Sequence, residues 1–502
     1  NKTQDSIIKQ IGKKHRNICV VGDDSQSIYS FRGANINNML NFKTFYKDAK
    51  EFKLEQNYRS TQNIVNAANS LIAHNTKKID KTIFSQQEKG DKLKLIQLYN
   101  DREEGNKIAD IIQKSILQNN TKQSSHAILY RTNSQSKVIE DGLRKRGIKY
   151  KIFGGLSFYQ RKEIKDTMAF LKLIINPKDD EALLRIINYP TRGIGPTTVN
   201  KIRAKSIEKN QSIWDIISTK MLDTIKLTKA TKSNIINFTN ILTSISECIN
   251  HNVFEILEQL IEKTGIIRRL KDDPTEENIN RIQNIGELFN SVKLFSMRKD
   301  NNTLFDFINE VSLDESQDEE SNTNDDYVSL MTIHQSKGLE FSNVYILGLE
   351  NGLFPSQRSM HKAELIEEER RLFYVAITRA IKNVTISYTK NRFKFGIISN
   401  STPSMFLDEI NYLFIERIKT ANLNNYISNK SNNYKAKFKQ VKYNNLTKVK
   451  TVFYRDNRNL KLGQNIVHNI FGKGEIKKID HSDGNEKITV AFIQHGEKLL
   501  LT

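Results

Sequence analysis

The distribution of apolar and polar residues divides the chain into stretches of different character. Near the N-terminus, NICVVGDDSQSIY (17–29) is an apolar run that leads into polar residues, which predicts a buried strand followed by a loop. TQNIVNAANSLIAHN has the apolar spacing of a helix, and the β-like runs KLKLIQLYN and SHAILYR flank the helical REEGNKIADIIQKSIL. This alternation predicts an α/β fold with a parallel sheet.

From about residue 164 to residue 312, long amphipathic stretches follow one another, as in DTMAFLKLIINP and NHNVFEILEQLIEKTGIIRRL. Strand patterns are lacking there, so we expect a helical insertion. The insertion ends in LDESQDEESNTNDD (313–326), whose acidic, polar composition predicts a mobile loop.

Strand patterns then return in YVSLMTIHQ, NVYILGL and NVTISYT, with the helical ELIEEERRLFYVAITRAI before the last of them. The α/β sheet is therefore expected to resume after the insertion. From residue 411 a Lys/Asn-rich stretch with weak periodicity predicts a linker. The tail from residue 461 has short alternating runs and Gly-containing turns, which predict a small β-barrel.

Length and charge narrow the class of protein. A chain of 502 residues predicts three or four domains, and no apolar run reaches the roughly 18 residues of a membrane helix. The net charge of +21 fits a polyanionic partner, although solvated basic faces or a membrane surface would also account for it. Cys19 and Cys248 match no zinc or disulfide spacing, and a reducing cytoplasm is expected.

The stretch GDDSQSIYSFRGA combines groups suited to phosphate and to bases. Asp23 and Asp24 follow the predicted strand, at the end where α/β sheets bind ligands. Gln26 can orient water or contact a phosphate. Tyr29 and Phe31, two apart on an extended segment and followed by an arginine, could stack on unpaired bases, although both could equally be core residues.

Three further stretches follow in a set order, namely LEQNYRST (54–61), TIHQSKGLEF (332–341) and EEERRLFYVAITRA (367–380). Together with GDDSQSIYSFRGA they resemble motifs III to VI of the UvrD/PcrA/Rep family of superfamily 1A DNA helicases. LYRTNSQS and GLSFYQRKEIKD extend the resemblance over nearly the whole chain.

The resemblance implies an α/β protein with two RecA-like parallel-sheet domains, the first incomplete, a helical accessory insertion and a small C-terminal Tudor-like β-barrel. The expected segments are the end of the first RecA-like domain (1–60), the second RecA-like domain (61–155 and 326–410), the accessory domain (156–325), a linker (411–460) and the Tudor-like module (461–502).

The resemblance also implies an ATP site. Gln26 corresponds to the glutamine that senses the γ-phosphate, and Arg59 and Arg379 correspond to two arginines that reach it, so these three are the expected catalytic residues. Tyr58 corresponds to the residue that stacks on adenine and Glu340 to the one that contacts ribose. Two planar guanidinium groups suit the charge that develops during phosphoryl transfer.

For DNA, the resemblance implies a single-strand track and a contact to duplex. The track comprises Tyr29, Phe31, Arg32, Arg131, Asn133, Thr332, His334 and Phe395. A core role is the alternative for His334. Duplex contact is implied for Gly193 and Gly195, whose turn precedes a helix and can present N–H groups to phosphate, with positive charge from Arg192 and Lys201 beside it. Taken alone, that turn would be a plain helix–helix connection. Arg370 and Arg371 are expected to be helix-surface charges.

The sequence contains no G-x-x-x-x-G-K-[ST] phosphate loop and no apolar strand ending in Asp-Glu. Its first residues, NKTQDSIIKQ, resemble the text that follows the magnesium-binding motif of the family. We therefore expect the chain to begin just after that motif, to use ATP with Mg²⁺ bound by preceding residues rather than by its own, and to be inactive alone.

The expected function is that of an ATP-dependent 3′→5′ DNA helicase or translocase of repair or replication, acting on single-stranded DNA and single-strand/duplex junctions. The resemblance also implies RNA polymerase as a class of partner for the C-terminal module. It implies no membrane partner. One alternative is a non-catalytic DNA- or partner-binding protein. Another is a helicase–nuclease subunit of the AddA/RecB type, whose nuclease domain the tail does not resemble.

Overall fold

The computed structural model describes residues 1–247, 252–298, 302–319, 326–418, 462–463, 465–468, 472–480, 487–492 and 496–501. The chain divides into two compact units, Asn1–Leu423 and Asn424–Thr502. Within the described residues, no helix combines the length and apolar character needed to cross a bilayer.

The N-terminal region contains three helices and a short strand, namely α1 (Lys2–Gly12), α2 (Asn37–Leu40), α3 (Phe42–Phe45) and β1 (Gln56–Asn57). The strand predicted for residues 17–22 is wrong. This segment is irregular, and the Val21 side chain is 89% exposed. A strand needs a hydrogen-bonded neighbour, and no described residue pairs with this segment.

The next region alternates strands and helices, as the sequence predicts. Its elements are α4 (Gln62–Ile72), β2 (Phe84–Ser85), β3 (Leu93–Asn100), α5 (Asp101–Asn119), β4 (His126–Tyr130), α6 (Ser136–Arg144) and β5 (Tyr150–Ile152). Gly105 of α5 and Gly142 of α6 let the two helices approach closely, because a Cβ on Gly105 would lie 2.3 Å from the Val138 carbonyl oxygen.

The predicted helical insertion is confirmed and has a core of its own. Its helices are α7 (Lys162–Ile175), α8 (Asp180–Ile186), α9 (Pro196–Lys209), α10 (Ile213–Ser218), α11 (Lys229–Ser246), α12 (Val253–Thr264), α13 (Ile266–Asp272), α14 (Glu276–Ser296) and α15 (Leu304–Glu319). The mobile loop expected from residue 313 is wrong as far as Glu319. Phe307 and Val311 anchor α15 in the core, and the polar residues that follow cost little in a helix.

The sheet resumes after the insertion. The elements are β6 (Val328–Thr332), β7 (Phe341–Ile346), α16 (Ala363–Ile377), β8 (Ala380–Lys394), β9 (Ile397–Asn400), α17 (Phe406–Glu409) and β10 (Ile415–Ile418). The strand order is β10-β3-β8-β7-β4-β6-β5, all pairs along it being parallel, and β9 pairs antiparallel with β8. Residues 411–418 are not linker as predicted, because Ile415 packs against the sheet core and β10 extends the sheet through β3.

Two buried polar groups tie the sheet together. Arg392 of β8 forms ion pairs of 2.6 Å with both Glu104 and Glu350, and all three side chains are buried. His126 of β4 is buried against the Tyr345 hydroxyl, 3.1 Å from Nδ1. Burial lowers the pKa of His126 to about 4, so this ring is neutral at physiological pH.

The described residues of the C-terminal unit form four short strands, as the alternation in its sequence predicts. They are β11 (Asn465–His468), β12 (Gly472–Asp480), β13 (Lys487–Phe492) and β14 (Gly496–Leu501), and they form an antiparallel sheet in chain order. Ile476, Val490 and Phe492 are buried in it.

Candidate functional site

Two arginines meet where β7 and β8 begin. Arg379 immediately precedes β8, and its carbonyl oxygen accepts a hydrogen bond of 2.9 Å from the backbone N–H of Phe341, the first residue of β7. Arg59 lies just before α4 and donates from Nη1 to the Thr378 carbonyl oxygen at 3.2 Å. The loop before α4 and the end of α16 therefore bring the two guanidinium groups to one place.

Arg379 is a buried cation held by neutral oxygens. Its guanidinium donates to the Val375 carbonyl at 3.0 Å, the Leu339 carbonyl at 3.1 Å and the Thr378 hydroxyl at 3.2 Å. The side chain is 2% exposed. Burial, followed by the positive charge of Arg59, lowers the pKa of Arg379 to about 10. Such a group is fixed in place and gains strongly from an added anion.

Tyr58 and Glu340 border an open cavity beside this pair. Asn57, Tyr58, Arg59, Glu340 and Ile381 line it. The Tyr58 ring is 73% exposed, and its hydroxyl donates to the Gln56 side chain at 3.0 Å. Glu340 accepts from Arg59 Nε at 2.6 Å. The cavity thus presents an exposed aromatic residue next to the Arg59 guanidinium and the Glu340 carboxylate, and the buried Arg379 guanidinium lies behind Arg59.

Gln26 ends a short 3₁₀ helix over Asp24–Gln26, which Asp23 caps by accepting from the Ser25 N–H at 3.0 Å. The Gln26 amide donates from Nε2 to Asp23 Oδ2 at 2.6 Å. The backbone carbonyl oxygen of Gln26 accepts from Lys337 Nζ at 2.7 Å. Both the side chain and the backbone of Gln26 are therefore fixed.

Three rings gather a few residues farther on. The ring centroids of Tyr29 and Phe31 lie 5.9 Å apart, and His334 lies 5.4 Å from Phe31 and 6.2 Å from Tyr29. The Arg32 guanidinium is 5.5 Å from the Phe31 centroid, and Lys337 Nζ is 5.3 Å from that of Tyr29. Aromatic rings with cations above them suit stacking on unpaired bases.

The backbone around these rings differs from the extended segment that the sequence predicts. Ser30–Arg32 is a 3₁₀ turn that ends at Gly33 in the left-handed region, with φ +82°. The turn is held from α16, because Glu368 accepts from the Ser30 backbone N–H at 2.8 Å and from its hydroxyl. Phe31 is 48% exposed, whereas Tyr29 packs partly against the sheet core. The core alternative is therefore wrong for Phe31 and holds in part for Tyr29.

His334 and Thr332 lie at the carboxyl end of β6. The His334 carbonyl oxygen accepts from the Tyr29 hydroxyl at 3.0 Å. Burial lowers the pKa of His334 to about 3, helped by Arg131 and Arg32, so its ring is neutral. The Thr332 hydroxyl bonds to the Gln335 side chain at 3.0 Å and so shapes the turn that carries His334.

Two family models match this chain, one over its N-terminal region and one over the sheet and the helical insertion. The model described as UvrD-like helicase C-terminal domain matches residues 52–391, and the one described as UvrD/REP helicase N-terminal domain matches residues 1–47. The chain belongs to the UvrD-like helicase family.

Individual UvrD-like relatives agree. An "ATP-dependent DNA helicase PcrA" of Staphylococcus epidermidis is 36% identical over 506 residues, covering 100% of this chain and 68% of the relative. One of the same name from Staphylococcus aureus is 34% identical over 508 residues with the same coverage. A solved C-terminal domain of a possible DNA helicase from Lactobacillus aligns with 72% of this chain and 99% of its own length, at 10% identity and a TM-score of 0.27.

Arg131 and Asn133, two of the residues predicted to contact DNA in this UvrD-like chain, follow β4. Arg131 forms a bidentate ion pair with Glu369 of α16, with Nη2 to Oε1 at 2.7 Å, and that carboxylate raises the pKa of Arg131. Its Nε and Nη2 atoms are thus paired with Glu369. Asn133 begins a 3₁₀ turn, and a Cβ on Gly155 would lie 4.0 Å from its side-chain oxygen.

Phe395 lies apart from the three-ring cluster. It occupies the turn between β8 and β9 with φ +52°. Its ring covers α14, 3.1 Å from the Cβ position of Gly286 and with its centroid 6.1 Å from that of Phe289. The Asn290 side chain clamps the same turn by accepting from the Gly396 N–H at 2.7 Å and donating to the Phe393 carbonyl at 3.0 Å.

Gly193 and Gly195 stand at the start of α9. Gly193 has φ +72°, and Gly195 is the N-cap residue, with open space where a Cβ would be. The expected positive flank is wrong for Arg192. Its guanidinium turns inward to the Ile186 and Pro190 carbonyls, each at 3.2 Å, and burial lowers its pKa to about 10. The Lys201 ammonium donates to the Lys226 carbonyl at 3.1 Å.

Arg370 and Arg371 are not the surface charges that the sequence predicts, because both are buried. Arg370 pairs with Glu409 at 2.6 Å, and Arg371 donates to the Lys77 carbonyl at 3.0 Å. Burial became possible because each guanidinium finds carboxylate or carbonyl oxygens on other elements. Periodicity alone does not reveal such partners.

Magnesium finds no site among the described residues, which contain no suitable group of three or more His, Cys, Asp or Glu side chains. Asp23 and Asp24 are the nearest pair of carboxylates to Gln26, but both accept from Lys81 Nζ at 2.6 Å. The described residues thus provide no set of ligands suited to Mg²⁺.

Sequence reasoning missed two residues that hold the site together. Lys337 lies inside TIHQSKGLEF and Glu368 inside EEERRLFYVAITRA, so both stood within stretches already singled out. Their charge and their place beside predicted ligand contacts could have marked them as candidates. Their partners, Gln26 and Ser30, could not be predicted, because they are more than 300 residues away in sequence.

Proposed function

We propose that this chain provides the γ-phosphate contacts and the single-strand DNA track of an ATP-dependent DNA helicase or translocase. The observation that carries the proposal is the buried Arg379 guanidinium, held by neutral oxygens next to Arg59 and beside the exposed Tyr58 ring. Family membership supports the same activity.

In this proposal Tyr58 stacks on the adenine, Glu340 contacts the ribose, and Arg59 and Arg379 contact the γ-phosphate. ATP hydrolysis supplies the free energy of translocation. The guanidinium groups stabilise the charge that builds up on the phosphoryl oxygens, because they are positioned in advance and partly shielded from water. Gln26 orients the attacking water or senses the phosphate.

Tyr29, Phe31, Arg32 and His334 form the proposed base-stacking part of the track. Gln26 is only three residues from Tyr29, and Lys337 touches both, through a bond to the Gln26 carbonyl at 2.7 Å and a contact to the Tyr29 ring at 5.3 Å. A shift of Gln26 with nucleotide state is therefore transmitted to the stacking rings over a short, rigid path.

The finer features remain proposals that family membership supports. They include 3′→5′ polarity, the RecA-like, accessory and Tudor-like segments with their predicted boundaries, and DNA contact by Arg131, Asn133, Thr332, Phe395, Gly193 and Gly195. They also include single-strand/duplex junctions as substrates, RNA polymerase as a partner of the C-terminal module, Mg²⁺ as cofactor and a cytoplasmic location. The chain by itself is expected not to hydrolyse ATP, because its sequence carries no phosphate loop.

The test is an unwinding assay with the full-length gene product on duplexes carrying a 3′ or a 5′ single-stranded tail. We expect ATP-dependent strand separation on the 3′-tailed duplex and ATP hydrolysis stimulated by single-stranded DNA. Binding to both duplexes without hydrolysis would favour the non-catalytic alternative, and preference for the 5′ tail would contradict the proposed polarity.

A further inference from the structure

Lys81, in the loop between α4 and β2, reaches the turn that carries Gln26. Its ammonium donates to Asp23 Oδ1 and Asp24 Oδ1, both at 2.6 Å. Asp24 is 1% exposed, and its other oxygen accepts from the Ile79 N–H at 3.1 Å. No motif in the sequence includes Lys81, and it became visible only because the fold brings residues 57 and 58 positions apart into contact.

The Asp23 carboxylate lies between Lys81 and Gln26. One oxygen accepts from Lys81 Nζ and from the Ser25 N–H, and the other accepts from Gln26 Nε2 at 2.6 Å. Because the Gln26 amide nitrogen donates to Asp23, the amide oxygen is turned away from it. That oxygen is the atom able to accept a hydrogen bond from a water molecule.

Without Lys81, two adjacent carboxylates would repel each other, and the buried Asp24 carboxylate would lose the ammonium that pairs with it at 2.6 Å. Asp23 would keep the bonds from the Ser25 N–H and the Gln26 amide but lose its ionic partner, so its carboxylate would orient Gln26 less firmly. The Lys81 ammonium therefore offsets the repulsion between the two carboxylates. This allows Asp23 to stay close to the buried Asp24 charge.

The loop that carries Lys81 is itself anchored on α16. The Thr76 backbone N–H and hydroxyl donate to Glu367 Oε1 at 2.7 and 2.6 Å, and Arg371 donates to the Lys77 carbonyl at 3.0 Å. Arg379 lies two residues after the end of the same helix. One rigid path thus relates Gln26 to Arg379.

We propose that Lys81 is a positioning residue for ATP hydrolysis, which acts by holding Asp23 so that Asp23 orients the Gln26 side chain relative to the phosphate-binding arginine. The inference rests on the proposed function of Gln26. Lys81 itself touches neither nucleotide nor DNA in this scheme, so its removal should slow turnover without weakening the binding of either.

The experiment measures ATP hydrolysis by the full-length gene product at saturating oligo(dT) for Lys81→Met, Lys81→Arg, Gln26→Ala and the Gln26→Ala/Lys81→Met double variant. We expect Lys81→Met to lower kcat about 10- to 100-fold, as misplacement of a catalytic group does, with KM for ATP and the oligo(dT) affinity unchanged. Lys81→Arg should restore most of the rate. Lys89→Met, which replaces an exposed lysine just after β2, is the matched control.

The double variant decides whether Lys81 acts through Gln26. If it does, Lys81→Met adds nothing to Gln26→Ala, and a double variant that is slower by the product of both effects overturns the proposal. The proposal is also overturned if Lys81→Met has the kcat of the parent while Gln26→Ala has a lowered kcat. Normal kcat in Gln26→Ala would refute the role of Gln26 itself. If Lys81→Met folds poorly, the Lys81→Met/Asp24→Asn variant replaces it, because this variant removes the buried Asp24 charge that has lost its partner. Asp23 still lacks Lys81 in this variant, so the proposal requires that its kcat stay low.

Discussion

Replacing Arg379 by alanine is the most direct perturbation of the proposed γ-phosphate site. In the folded chain its guanidinium donates three hydrogen bonds, all to neutral oxygens of Val375, Leu339 and Thr378. Because no carboxylate is paired with it through these bonds, its loss strands no buried negative charge. We therefore expect a small effect on folding and a large effect on catalysis.

The magnitude follows from Coulomb's law. A guanidinium about 4 Å from a phosphoryl oxygen, at an effective dielectric constant of about 20, contributes about 4 kcal/mol. At about 1.4 kcal/mol per factor of ten in rate, this corresponds to a loss of about 10³ in kcat. Arg379→Lys keeps the charge but loses the planar fork that fixes its direction, and should lie between alanine and the parent.

The assay is ATP hydrolysis by the full-length gene product, with and without single-stranded DNA, alongside thermal unfolding of each variant. Arg102→Ala removes an exposed arginine of α5 and serves as the control. Arg59→Ala should also lower turnover. If Arg379→Ala keeps kcat within about threefold of the parent, a difference of less than 1 kcal/mol, the guanidinium does not contact the reacting phosphate and the reasoning fails.

Tyr29→Ala and Phe31→Ala should each weaken oligo(dT) binding about 5- to 150-fold, since stacking contributes about 1–3 kcal/mol per base. Fluorescence anisotropy measures this affinity, with exposed Phe84→Ala as control, and affinities equal to that of the parent would contradict base stacking by Tyr29 and Phe31. Arg392→Met should lower the free energy of unfolding in urea by about 3–5 kcal/mol by leaving buried carboxylates unpaired, and a loss below about 1 kcal/mol would contradict that pairing. The pKa of His126 is lowered to about 4, so between its unfolded value of about 6.5 and pH 4 only the unfolded state binds this proton. Stability should therefore fall as pH drops through this window, and His126→Asn should flatten that slope in denaturation at several pH values. An unchanged slope would show that His126 does not cause it.

Local pattern determined much of the fold. The helix Asp101–Asn119 between β3 and β4, the long helices of the insertion and the four short C-terminal strands all follow from apolar periodicity. Periodicity is reliable there because each element buries one face against its neighbours. It failed at residues 17–22, where an apolar run without a partner strand stays irregular, and at residues 313–319, where an anchored helix continues into acidic sequence.

The order of the motifs along the chain also predicted the family, which the comparisons confirm, and it predicted Gln26, Tyr58, Arg59 and Arg379 as site residues, because residue type and sequence order are readable without coordinates. Which side chains these residues meet is not readable in that way. Gln26 finds Asp23 nearby, but the Lys337 ammonium that holds its carbonyl is 311 residues away.

The tertiary structure alone decided the buried partners. Arg370 and Arg371 look like surface charges on a helix until α16 packs against the loop after α4 and the residues around α17. Lys81 looks like any other lysine until that same loop brings it to Asp23 and Asp24. A charge can be buried only where the fold supplies a counter-charge or enough hydrogen-bond acceptors, and many of these come from segments whose proximity no local pattern encodes.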